Sequence, residues 1–222
     1  MQVLTFTEEN YLKTIYAIQY GLDKGEVSVN EIAEKMENRP ATVTDMLRKL
    51  SDKELISYQK YKKVTLSTTG LNAALQIVRK HRLWETFLHD TLCFSWDEVH
   101  EVAEQLEHIH SPKLIAKLDA FLGYPKVDPH GDPIPNAKGE LPLTSTLSLL
   151  DVLEKKPYRI VAVKDTSVAF LHQLERMKLM IGSLITVLER MPFDKSHIVT
   201  TEKEERLMLS EIIASNILVK KV

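Results

Sequence analysis

Long hydrophobic runs, disulfide-forming cysteines and an excess of one charge are all missing from this chain of 222 residues. No apolar stretch approaches the roughly 20 residues that a helix needs to cross a bilayer. Residues Met1 to Glu9 show neither the basic start nor the apolar centre of a secretory signal. A single cysteine, Cys93, excludes an internal disulfide framework. Together these absences predict a cytoplasmic protein with no membrane partner, and Cys93 is expected to be a small buried residue. Lysine and arginine number 29 against 31 aspartates and glutamates, a formal charge of -2. The chain is therefore not a globally basic nucleic-acid binder, and any DNA contact must come from a local patch. A hydrophobic content of 44% is ordinary for a protein with a real core.

The helical signals cluster in the first half. Tyr11, Leu12, Ile15, Tyr16 and Ile18 give an apolar stripe over residues 8–20. Ser28 followed by Glu31 reads as a capping box opening a second helix with Val29, Ile32, Ala33 and Met36. Pro40 stands at the start of a third, with Val43, Met46, Leu47 and Leu50 at helical spacing. Residues 57–66 alternate as two short strands around Lys60, Tyr61, Lys62 and Lys63. A long helix is predicted from Thr68 to about Leu88, another from Trp96 to about His110, and another from Pro112 to about Leu122. Five prolines and three glycines between Gly123 and Leu143 mark an ordered, turn-rich segment leading into a linker. Beyond it the pattern turns β-like at 159–163, 184–188, 197–200 and 217–222, with one helix at about 168–177. The expected fold is a mainly α N-terminal part, a winged helix-turn-helix plus a second helical domain, followed by a small all-β SH3-like barrel. The expected domains are 1–70, 71–140 and 141–222.

Two short helices, a tight turn and a basic-tipped hairpin describe a reading head for double-stranded DNA. The outer face of the third helix shows Thr42, Thr44, Asp45, Arg48 and Lys49, with Arg39, Pro40 and Ala41 at its start. Small hydroxyl residues and alanine allow close approach to a major groove, where arginine reaches base edges or phosphates. Lys60, Lys62 and Lys63 would lie on backbone phosphate. A second concentration of chemistry runs from His100 to His108. On a continuous helix, residues 100, 104 and 108 share a face with Glu107 beside them. His81 and Glu85 begin a second donor pair one turn apart. Carboxylates and imidazoles without thiolate suit Mn2+ or Fe2+, with Zn2+, Co2+ or Ni2+ as surrogates. His100-Glu101 starts a zinc-peptidase pattern, but Glu104 stands where the second histidine belongs. A metal-dependent hydrolase using Glu101, or a winged-helix regulator not gated by metal, are the alternatives to a DNA-binding protein switched by metal. No enzymatic activity is expected.

These segments resemble the iron- and manganese-dependent repressors typified by the diphtheria toxin repressor and the manganese transport regulator. The resemblance is carried by residues 9–16, 39–44, 66–70, 79–85, 99–108 and 128–135. It implies a homodimer whose affinity for a palindromic operator of metal-uptake genes rises with divalent metal. It also implies a first metal site at Asn10, Glu104, Glu107 and His108, and a second at His81, Glu85 and His100. Glutamate at position 104 is similar to the manganese branch, since iron-type members carry cysteine there. Asn10 and Lys13 depart from the manganese pattern, which has acids at both positions. The lysine points away from a closely paired dinuclear site and toward two separated ones. Asp165 and Ser167 fall near the place where the family's SH3-like domain supplies ligands.

Overall fold

The computed structural model describes residues 4–21, 25–58, 63–143 and 145–222. The chain divides into two compact units. The first is Met1–His81, Gln105–Pro112 and Pro135–Glu140; the second is Arg82–Glu104, Lys113–Ile134 and Leu141–Val222.

In the first unit, α1 (Phe6–Tyr16) opens with a capping box. The Thr5 hydroxyl accepts from the Glu8 amide, and the Glu8 carboxylate accepts from the Thr5 amide. The helix then widens into a π-helical turn at Ala17–Gly21 instead of continuing to residue 20 as a plain α-helix. In that turn Gln19 is buried, and its side-chain oxygen accepts from the Leu66 amide at 3.0 Å. The predicted Ser28–Glu31 capping box opens α2 (Val29–Lys35), and Pro40 is the first residue of α3 (Pro40–Asp52). Strands β1 (Ile56–Ser57) and β2 (Thr65–Leu66) pair antiparallel. Lys60, Tyr61 and Lys62 of the hairpin tip lie outside the described residues. Tyr11, Leu12, Ile15, Ile32, Val43, Leu47, Leu50, Val64 and Ile77 form one buried cluster, the core of this head. Gly70, near the start of α4 (Thr68–Asp90), is required sterically, because a Cβ there would sit 1.8 Å from the Leu55 carbonyl oxygen. The turn-rich 135–140 segment is anchored by Arg79, which donates to the Pro135 carbonyl at 2.7 Å.

The second unit holds the later part of α4, most of α5 (Val99–Leu106) and α6 (Pro112–Phe121), then a six-stranded antiparallel sheet. The strands are β3 (Leu147–Ser148), β4 (Pro157–Val163), β5 (Leu184–Arg190), β6 (His197–Thr201), β7 (Arg206–Leu209) and β8 (Ile217–Lys221). Their order is β3-β8-β4-β5-β6-β7. Register shifts between Ile160 and Ala162 and between Val187 and Glu189 bend the long strands, as bulges do. Two helices, α7 (Val168–Arg176) and α8 (Glu211–Asn216), are each capped by a serine, Ser167 and Ser210. Leu149, Ile160, Leu171, Leu174, Val187, Val199, Ile217 and Val219 form the core, with Trp96 packed among them. The architecture is thus a helical N-terminal part followed by an SH3-like β domain.

Three features differ from the sequence reading. Helix α5 ends at Leu106, so Glu107 and His108 lie in the turn after it and do not continue the stripe of His100 and Glu104. The following Ser111-Pro112 pair opposes continuation, since the residue before proline is disfavoured in the α region. Cys93, expected to be buried, is exposed, with φ +58 in the turn that ends α4. Strands β3 and β7 and helix α8 were not anticipated, because two-to-six-residue elements carry too little periodicity to be seen.

Candidate metal centre and DNA-reading face

The densest cluster of ionisable groups in the first unit surrounds Glu107, which is fully buried. Its Oε2 accepts two hydrogen bonds, from His81 Nδ1 at 2.6 Å and from Lys13 Nζ at 2.8 Å. Burial alone would raise this carboxyl's pKa, but the His81 hydrogen bond and the Lys13 charge hold it below the usual carboxylate range. Glu107 is therefore ionised. Its other oxygen, Oε1, has no hydrogen-bond partner among the described residues and lies 3.7 Å from His108 Nε2. His108 is itself buried, and its Nδ1 donates to Glu9 Oε2 at 2.6 Å. That bond leaves Nε2 as the lone-pair nitrogen of the neutral ring. The side-chain oxygen of Asn10, between Glu9 and Tyr11 on α1, is also buried and unbonded.

Buried oxygens without donors are costly, and native proteins seldom leave them so. A carboxylate oxygen, an amide oxygen and an imidazole lone pair are the donors that a divalent cation satisfies. The residues present thus fit a hard cation of the manganese or iron type.

In the second unit, Glu85 is buried and its Oε1 accepts from His100 Nδ1 at 3.3 Å. His100 is exposed, and its Nε2 lies 3.5 Å from Glu104 Oε1 one turn along α5. Two further donors stand beside Glu85. Asp128 and His130 are both buried, and each offers a ligand atom within 4.8 Å of the others and of Glu85. His130 Nε2 donates to the Trp96 carbonyl at 2.7 Å, which turns Nδ1 toward Glu85 Oε1, 3.9 Å away. Burial and the charges of Glu85 and Asp132 push the Asp128 carboxyl well above the usual range, and Arg82 only partly opposes them.

On the DNA side, Arg39, Pro40, Ala41, Thr42, Asp45, Arg48 and Lys49 are exposed at the start and outer face of α3. Thr44 is half-buried, and its hydroxyl donates to the Pro40 carbonyl at 2.9 Å. Arg48 donates to Asp45 at 3.1 Å, so the acid on this face is locally neutralised. Lys63 lies 3.8 Å from Glu26, while Lys60 and Lys62 fall outside the described residues.

The chain is similar to known proteins along most of its length. Residues 3–64 match the family model "Iron dependent repressor, N-terminal DNA binding domain". Residues 67–136 match "Iron dependent repressor, metal binding and dimerisation domain", and residues 147–221 match the FeoA domain. A solved manganese-dependent transcriptional repressor in complex with manganese is 34% identical, covers 97% of this chain and all of its own, and superposes with a TM-score of 0.87. The chain belongs to the iron- and manganese-dependent repressor family. ScaR with bound zinc is 36% identical over 97% of this chain and 99% of its own, with a TM-score of 0.78. The iron-dependent repressor IdeR of Mycobacterium leprae is 33% identical over 136 residues, which are 61% of this chain and 58% of IdeR. The chain thus spans a little over half the length of the curated relatives it first matches.

Within this repressor-family chain the structure gathers Asn10, Glu107, His108 and His81 in one unit and Glu85, His100 and Glu104 in the other. Asp128 and His130 were missed as donors by the sequence reading. The signal was present, since Asp128-Pro129-His130-Gly131-Asp132 lies in a segment that carries the resemblance, but its prolines and glycine read as a turn only. The turn is what aims them. The Asp128 side chain accepts from the His130 and Asp132 amides, and Gly131, at φ +86, packs where a Cβ would sit 2.0 Å from the Val161 carbonyl. Asp165 accepts from the Ser167 amide, and Ser167 caps α7.

Proposed function

We propose that this chain is a metal-dependent transcriptional repressor, without catalytic activity, that works in the cytoplasm as a homodimer on a palindromic operator of metal-uptake genes. Its working parts are a DNA-reading head at 1–70, a metal-binding and dimerisation domain at 71–140 and the SH3-like domain at 141–222. The single observation that carries the reading is the buried Glu107 Oε1, without a hydrogen-bond partner among the described residues and 3.7 Å from His108 Nε2, in the unit whose α1 also buries the unbonded Asn10 Oδ1. Glu85, Asp128 and His130 are proposed as a second donor set. The assignment of Glu104 to the first set, and of His81 to a set with Glu85 and His100, rests on the family resemblance. Exposed Leu92, Leu114, Phe121 and Tyr124, on and around α4 and α6, supply apolar surface suited to a second copy.

A bound divalent cation supplies the charge that these buried acceptors lack. Asn10 belongs to α1, which also buries Tyr11, Leu12 and Ile15 in the core of the reading head. Restraining Asn10 therefore restrains the head, and in a homodimer two restrained heads hold their α3 helices about 34 Å apart, one turn of DNA. Linkage makes the effect reciprocal, so operator DNA must also tighten metal binding. The test is DNA binding by the metal-free protein titrated with Mn2+, Fe2+ and Zn2+. Wild type should gain affinity, and the double substitution Glu107→Ala, His108→Ala should not. A double variant that still responds to Mn2+ refutes the site. A wild type that binds equally well without metal favours a regulator not gated by metal.

A further inference from the structure

The hairpin joining β5 to β6 holds polar groups that the proposed repressor function does not use. Arg190 ends β5 and stands directly across from His197, which opens β6. Side chains paired in this way project from the same face of a sheet. The Met191 amide donates to the Ser196 carbonyl at 2.8 Å, and the Asp194 carboxylate accepts from the Ser196 amide and hydroxyl. Asp194 is thus engaged within its own turn. Arg190 donates from Nη2 to the Val152 carbonyl, which holds its guanidinium. Its Nε–H is buried and has no acceptor among the described residues. His197 is 3% exposed, and neither ring nitrogen has a hydrogen-bond partner among the described residues. Burial and the Arg190 charge keep this ring neutral at neutral pH, so it presents one N–H and one lone pair. Orphaned donors of this kind are costly in a native fold. Both residues line a cavity of about 420 Å³, a volume suited to a small molecule. Leu150, Met191 and Pro192 make its wall chiefly apolar. Lys195 and Glu211, also on the wall, pair at 3.2 Å and leave Arg190 as the net charge.

We propose that this cavity binds a small organic monocarboxylate: its carboxylate accepts the Arg190 Nε–H and the His197 N–H, and its apolar body lies against Leu150, Met191 and Pro192. One unneutralised guanidinium sets the ligand's charge at minus one. A planar guanidinium matches a carboxylate in shape, and a hydrogen bond between them is charge-assisted. The neutral imidazole adds a second donor without a second charge. The apolar wall selects the body of the ligand, since a bare inorganic anion would leave that surface in contact with water. Both nitrogen donors are buried, so a ligand reaches them only as a neighbouring side chain gives way. Met191, unbranched and half-buried, is suited to do so. The site lies wholly within the SH3-like domain and shares no residue with the proposed metal donors.

The test uses the full-length protein with a chelator present, so that no outcome depends on the metal centre. The probes are benzoate and hexanoate. Nitrogen-15 and carbon-13 spectra should show saturable shifts at the Arg190 Nε–H and the His197 ring at millimolar probe. Benzamide, the neutral counterpart of benzoate, should bind about tenfold more weakly or worse. Inorganic phosphate, which has no apolar body, should also bind about tenfold more weakly or worse. Arg190→Gln should weaken benzoate about tenfold or more. Should that variant fail to fold, Arg190→Lys keeps the charge without the Nε–H and should weaken benzoate as well. Met191→Trp should block benzoate by filling the cavity while the amide spectrum of the sheet is retained. Absence of saturable shifts with both probes overturns the site. Benzamide or phosphate binding as tightly as benzoate overturns the ligand class. Benzoate binding unchanged in Arg190→Lys and in Met191→Trp overturns the assigned residues. Each of these failures leaves the repressor reading standing.

Discussion

Asn10 is a neutral donor on a helix whose neighbours at 9 and 13 carry opposite charges, and its neutrality has a measurable consequence. Replacing it with aspartate adds a second carboxylate to the proposed donor set that holds the buried Glu107. Without metal, that charge should lower the melting temperature. With Mn2+, it should raise affinity by about tenfold or more, because two anionic oxygens then face the cation. Calorimetry and paired melting curves, with and without metal, check both signs. On the proposed reading face, Arg48 pairs with Asp45 at 3.1 Å. Asp45→Ala should free Arg48, strengthen binding to DNA of any sequence and steepen the plot of log K against log salt by about 0.9. An unchanged slope would mean that Arg48 does not meet phosphate. Residue types announced this chemistry in the sequence. Which oxygen of Glu107 is taken, and by which donor, did not show there, since Lys13 and Glu107 are 94 residues apart.

Local hydrogen bonds explain why the helices were so legible as elements. The Ser28–Glu31 box spans three residues, and both of its bonds are present. Ser28→Ala should cost the head about 1 kcal/mol, read by denaturant melting. Gly70→Ala should cost more, above about 2 kcal/mol, because a Cβ would meet backbone at 1.8 Å and neither chain can yield cheaply. In the SH3-like domain, His197 on β6 is buried with neither ring nitrogen hydrogen-bonded. Burial and the nearby Arg190 charge depress its pKa, despite an opposing pull from the Lys195 backbone and more distant acids. The sign follows directly. The unfolded chain protonates this histidine near the ordinary value of about 6.5 while the folded domain resists. Its contribution is intact above that pH and is lost as pH falls through the lower, folded value. His197→Phe should therefore flatten the fall in melting temperature between about pH 6.5 and 5, and should be neutral or stabilising at pH 7.5. A variant that melts with the same pH slope would exclude His197 as the source. The π-helical turn after Tyr16 was not legible. It goes with a long-range partner, the Leu66 amide donating to Gln19, that periodicity does not register.

At the scale of the molecule, metal binding should appear as global stability. A ligand that binds only the folded state, present at 100 times its dissociation constant, adds about 2.7 kcal/mol. Mn2+ should accordingly raise the melting temperature of the wild type, and a chelator should reverse the shift. The Glu107→Ala, His108→Ala variant should lose the part of that shift due to the first centre, and a further His130→Ala the rest. A shift that survives all three substitutions would place the metal elsewhere. A second whole-chain property follows from the charge of -2. With no overall positive field, the proposed reading face on α3 predicts that neutralising Arg39, Arg48 and Lys49 together removes most DNA binding at physiological salt. No helix among the described residues is long and apolar enough to cross a membrane.

The sequence by itself determined what is local or repeated at short spacing: the capped helices, the strand pair after α3, the β-rich C-terminal third, the family motifs and the hard-donor residue types of the candidate ligands. Those signals live in hydrogen bonds and apolar faces three or four residues apart, which a linear reading sees directly. Only the tertiary structure decided how the donors are shared. It set His81 and Lys13 on one oxygen of Glu107 and Glu9 behind His108, and it brought Asp128 and His130 to Glu85 through a glycine turn. The physical reason is distance along the chain. His108 meets Glu9 across 99 residues, and a contact of that separation exists only once the core around Tyr11, Leu12 and Ile77 has packed.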